Sequence, residues 1–125
     1  MSCDNENRLV AIVDDDDAVR VTLKELLRAA GFSSQTFESA EDFLGSGHQQ
    51  DTACLITDIR MPGMSGLELQ TRLNAERCRI PTIFITAHGD EEMRLQALRA
   101  GAVEFLPKPF DDEILIESVR AALDR

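Results

Sequence analysis

The chain has 125 residues, enough for one domain with a real hydrophobic core and too few for a second of any size. Its 23 acidic residues against 13 basic ones give a formal charge of −10 with no basic patch, which excludes a domain that grips nucleic-acid backbones or anionic membranes through its surface field. The apolar stretches are strand-sized, Met1 to Arg8 form a polar tail unlike a signal sequence, and Cys3, Cys54 and Cys78 match no zinc or thioredoxin spacing, so a soluble domain over residues 9–125 in a reduced cytoplasm is expected.

Leu9 to Val13 reads as a strand. Val19, Leu23, Leu26, Leu27 and Ala30 then recur at helical spacing, and Gly31 is placed to end that helix. Phe32 to Phe37 makes a second strand. Ser39, with Asp42 three residues on, opens a second helix that Gly45, Ser46 and Gly47 are expected to break before a third strand, Ala53 to Thr57. Ser65 and Glu68 form a capping-box pattern for a third helix with Leu69 and Leu73 on one face, and Pro81 precedes a fourth strand, Thr82 to Thr86. Asp90 is a plausible N-cap for a fourth helix carrying Leu95 and Leu98 up to Gly101. Val103 to Leu106 is a fifth strand, and Asp111 starts a last helix running to about Leu123. Strict strand–helix alternation with near-continuous apolar strands implies a doubly wound α/β fold, a parallel sheet covered on both faces.

In such sheets ligands bind beyond the carboxyl ends of the strands. The polar residues at those ends are Asp14 to Asp17 after the first strand, Asp58 after the third, Thr86 closing the fourth and Lys108 after the fifth. Singly each has a plain structural use. Asp16 and Asp17 lie nearest the helix start and suit capping, Asp58 suits a turn, Thr86 a strand end and Lys108 a solvated surface. Together they are the parts of a phosphoryl-transfer site. Three gathered carboxylates demand a cation, and magnesium suits Asp15, Asp58 and a water on Asp14, whereas His88 alone is not expected to ligate a metal. Asp58 is then the acceptor, Lys108 neutralises a phosphoryl oxygen, Thr86 donates a hydrogen bond to another, and Ala87 leaves room for a bulky donor.

Val13-Asp14-Asp15-Asp16, the run from Asp58 through Met61-Pro62-Gly63 to Ser65-Gly66, Ile85-Thr86-Ala87-His88 and Lys108-Pro109-Phe110 together resemble the receiver domains of two-component response regulators, over about Leu9 to Leu123. The resemblance implies a flavodoxin-like sheet in the order 2-1-3-4-5. It makes Asp58 the phosphoacceptor for a histidine kinase, Asp14, Asp15 and the Arg60 carbonyl the further magnesium ligands, Thr86 and Phe105 the switch pair, and Lys108-Pro109 a peptide bond that is often cis. The wording around Asp58 and Thr86 is similar to FixJ-like receivers, which usually precede a LuxR-type DNA-binding domain absent from this sequence. Phe105 suits a core position equally well.

In the last helix Leu115, Val119 and Ala122 make one apolar stripe while Ile116 and Leu123 lie toward another. That second stripe, or the helix before it, is expected to form a phosphorylation-enhanced homodimer. Two rival readings stay open. A haloacid-dehalogenase-like phosphatase would use Asp14 and Asp16 as its D-x-D pair but leaves Asp58 unexplained. A phosphorylation-independent binding domain would keep only the fold.

Overall fold

A computed structural model of the chain describes residues 9–78, 80–87 and 91–124. Five parallel strands, β1 (Leu9–Val13), β2 (Ser33–Phe37), β3 (Thr52–Asp58), β4 (Thr82–Thr86) and β5 (Glu104–Pro107), form one sheet in the order β2-β1-β3-β4-β5. The helices are α1 (Asp17–Ala29), α2 (Ala40–Ser46), α3 (Gly66–Ala75), α4 (Glu91–Arg99) and α5 (Asp112–Leu123). This is the expected flavodoxin-like arrangement.

The central strands are apolar on both faces because both faces are covered. Val10, Ile12, Cys54, Ile56, Ile83 and Ile85 point to the side packed by Leu23 and Leu27 of α1 and Leu115 and Val119 of α5. Ala11, Val13 and Leu55 point the other way, against Phe43 of α2 and Leu69 and Leu73 of α3. β2, at one edge, is polar from Ser33 to Thr36 and exposed at alternate positions, as befits a strand half open to water.

The local signals set most boundaries. Asp16, Ser39, Ser65 and Asp111 each cap a helix with a side-chain oxygen, and Ser65 with Glu68 completes the capping box in both directions. β2 begins one residue later than expected, because the Phe32 N–H bonds to Leu27 O and that of Gly31 to Arg28 O, a Schellman closure of α1 with Gly31 at φ +92°. Gly45 does not break α2. The helix runs through it to Ser46, and Gly47, at φ +80°, ends it before a single 3-10 turn, His48–Gln50.

Two expectations about faces are corrected. On α4 the buried residue is Ala97, and Leu95 is 38% exposed; this short, charged helix rests on a small patch made with Ile59 and Phe84. On α5 the second apolar stripe is not a free surface. Ile116 and Leu123 are 9% and 6% exposed and belong to the same core as Leu115 and Val119, because the helix lies beside α1 on the same face of the sheet. Asp90 and His88 lie outside the described residues.

Candidate functional site

Four of the five strands deliver the site. β1 and β3 pair with Val13 opposite Thr57, so Asp14 and Asp58 leave adjacent strands at the same level of the sheet. Asp58 is itself the last residue of β3 and faces Ile85 of β4, which puts Thr86 one residue further along the neighbouring strand. Lys108 follows β5, and its N–H donates to Thr86 O at 2.9 Å, tying the β5 exit to the end of β4.

The Lys108 ammonium closes the group. Its Nζ donates to Asp14 Oδ2 at 2.9 Å and to Asp58 Oδ2 at 2.8 Å, and both carboxylates are buried, at 0% and 7% exposure. Charge-assisted contacts of this length are the strong kind, and a carboxylate so deep requires them. Burial pushes the Asp14 carboxyl above its ordinary range and the Asp58 charge adds to the push, while Lys108 and the Asp16 N–H, 2.9 Å from Asp14 Oδ1, pull it down. Burial also works against the charge of Lys108, but its two carboxylate partners outweigh that and raise its pKa.

Carboxylate oxygens of Asp14, Asp15 and Asp58 all lie within 4.8 Å of one another, with Asp15 on the exposed side. An all-oxygen set fits a hard cation such as magnesium and offers nothing to select zinc. When all three are ionised, the Lys108 ammonium leaves two negative charges over, which a divalent ion balances. The Arg60 N–H donates to Asp58 Oδ1 at 3.3 Å while its side chain lies in solvent. Phe105 is half-buried beside Phe84, with ring centroids 6.5 Å apart, and packs on the patch that carries Ala97 of α4. The Lys108-Pro109 bond is cis. Asp16 is committed to the amides of Ala18 and Val19 as the α1 cap, so the D-x-D arrangement of a phosphatase is not assembled.

Two neighbours were not anticipated from sequence. Arg20, nearly buried, donates through Nη1 to the Asp14 main-chain oxygen and pairs through Nη2 with Asp17. A cation in the first turn of a helix opposes the helix dipole, and that misfit was its one sequence signal. Glu41, from α2, reaches the loop after Asp58 and accepts the Met64 N–H at 3.0 Å.

A lysine-bridged carboxylate pair at the switch point of a 2-1-3-4-5 sheet is built as a receiver domain is built, and the chain belongs to the response regulator receiver domain family, whose pattern matches residues 10–120. Among individual proteins it is 46% identical to the transcriptional regulatory protein FixJ of Azorhizobium caulinodans over 120 residues, covering 96% of this chain and 57% of that one. It is 44% identical to nodulation protein W of Bradyrhizobium diazoefficiens, covering 94% of this chain and 52% of that one. The crystal structure of FixJ-N superposes with a TM-score of 0.84 at 42% identity, over 94% of both chains. The chain thus spans about half the length of the full-length relatives it matches. It is a receiver domain of a two-component response regulator, related to transcriptional regulators such as FixJ.

Proposed function

We propose that Asp58 accepts a phosphoryl group from a histidine kinase and that the domain relays this as a changed binding surface. The observation that carries the reading is the Lys108 ammonium held between Asp14 and Asp58 at hydrogen-bond distance. In the transfer an Asp58 carboxylate oxygen attacks phosphorus and the bond from phosphorus to the donor nitrogen breaks. Asp58 is buried and fixed by Lys108 and the Arg60 N–H, so its lone pairs are presented with little reorganisation. Lys108 then turns a donor to the new phosphoryl oxygens, and the Thr86 hydroxyl supplies another.

Asp14, Asp15, Asp58 and the Arg60 carbonyl are the residues that would hold magnesium, which when bound neutralises charge on the phosphoryl oxygens. Thr86 and Phe105 are the proposed switch pair: drawing Thr86 toward the phosphoryl group favours one arrangement of the β4 exit, and Phe105, against Phe84 and the α4 patch, follows it. With the second stripe of α5 in the core, the surface left for a phosphorylation-enhanced homodimer is α4, where Leu95 stands exposed. Output to transcription would run through a DNA-binding domain such as FixJ-like proteins carry, inside the cytoplasm; among the described residues no helix is long and apolar enough to cross a membrane.

The test is intact-mass measurement after incubation with magnesium and acetyl phosphate, on wild type and Asp58→Asn. A gain of one phosphoryl group in the wild type alone is expected, and equal gains in both proteins would refute the reading.

A further inference from the structure

Glu41 lies in the first turn of α2, where an acidic side chain ordinarily faces its own helix N-terminus. Here its carboxylate is turned to another segment, the loop 59–65 between Asp58 and α3. That loop is closed at its base by the Gly66 N–H on Ile59 O, at 2.9 Å, and Met61 is anchored in the core. Its tip is harder to hold. Pro62 has no N–H to donate, and Gly63 sits at φ +78°. Just past Gly63, the Met64 N–H donates to Glu41 Oε2 at 3.0 Å, from 23 positions away.

A second observation falls on the same oxygen. A Cβ added at Gly63 would stand 2.6 Å from Glu41 Oε2, so the glycine serves the carboxylate's approach as well as the turn.

We infer that Glu41 is a positioning residue: it latches the loop after Asp58 from outside and so fixes the main chain at Arg60, the segment that borders the phosphoacceptor. The inference rests on the reading of Asp58 above, but the latch itself is measured independently of phosphorylation. Arg60 is the loop's link to the site, through its N–H on Asp58 Oδ1 and, in the proposed ligand set, its carbonyl. A loop free to shift at Met64 is free to carry Arg60 with it.

Three forms of the full chain separate position from charge: wild type, Glu41→Ala, which removes the acceptor, and Glu41→Gln, which keeps an acceptor oxygen at the same reach and drops the charge. Amide hydrogen exchange at Met64 and magnesium affinity by NMR titration are the readouts. In Glu41→Ala, Met64 exchange is expected to accelerate roughly tenfold, as for loss of one charge-assisted hydrogen bond. Magnesium Kd should rise roughly three- to tenfold, the low end for an outer partner of a metal ligand because Glu41 is exposed. Glu41→Gln should stay within about twofold of wild type on both, since geometry is retained. Unchanged Met64 exchange in Glu41→Ala overturns the latch, and equal magnesium losses in both variants overturn positioning in favour of bare electrostatics. A wild type that binds magnesium but takes no phosphoryl group would overturn the function proposed for Asp58 while the exchange comparison still judges Glu41.

Discussion

Gly66 opens α3, and replacing it with alanine sets two physical effects against each other. Its φ is not left-handed, so alanine fits the backbone, and intrinsic helix propensity favours the change by up to about 1 kcal/mol. Packing opposes it. The new Cβ would lie 2.2 Å from the Asp58 carbonyl oxygen and 3.1 Å from both the Asp58 carbonyl carbon and the Ile59 Cα. These are main-chain atoms of the sheet's central strand and its exit, and no side-chain rotation relieves them. Overpacking against immobile atoms costs about 2–3 kcal/mol, which at about 4 °C per kcal/mol for a domain of this size lowers the midpoint by about 8–12 °C. Gly45→Ala is the matched control: it lies inside α2, exposed, with nothing within 4 Å of its Cβ, and should gain about 1 kcal/mol, or about 4 °C. Thermal melts followed by circular dichroism decide between the effects. A Gly66→Ala protein melting at or above wild type would refute the packing argument and, with it, the tight seating of α3 on the Asp58 peptide group.

Ser65→Ala removes one half of the capping box, the Glu68 N–H at 3.1 Å on the Ser65 oxygen, and should cost about 1 kcal/mol, visible as a drop of about 4 °C that Ser65→Thr restores. Magnesium at ten times its Kd should stabilise the domain by about 1.4 kcal/mol, a rise of about 6 °C reversed by EDTA; an unmoved melting curve would count against the three-carboxylate site. Burial pushes the Cys54 thiol up to about 12, so at pH 8 it holds about a thousandfold less thiolate than an ordinary cysteine. Mass mapping after brief alkylation should therefore find label on Cys78, half-buried, and none on Cys54 until denaturant is added; comparable labelling of the two in the native state would contradict that burial.

What sequence could reveal depended on distance. The caps at Asp16, Ser39, Ser65 and Asp111 act within three residues, so their side-chain chemistry announced the helix starts. Asp14, Asp58 and Lys108 were legible because parallel strands bring all their carboxyl ends to one edge, and the structure does draw those three together. Leu95 misled because α4 is mostly polar and too weakly amphipathic to name its own face, which is set by the patch at Ile59 and Phe84. Ile116 and Leu123 misled for the opposite reason: α5 is apolar over a wide arc, and only its seat beside α1 says that the whole arc is buried. Arg20 and Glu41 reach main-chain groups 6 and 23 positions away, and no periodicity records such contacts.

The ammonium bridge also sets a requirement of reach. Lys108 starts beside β4, held there by its N–H on Thr86 O, yet its Nζ touches carboxylates rooted on β3 and β1. With strands about 4.8 Å apart, the side chain must lie across the open end of β4 to get there. Only a long, unbranched stem with a small charged tip does this while leaving a donor to spare, whereas arginine's planar fork would demand more room between two buried carboxylates. The end of β4 therefore carries a living strap, and whatever binds at Thr86 binds alongside four methylenes that are already stretched over it.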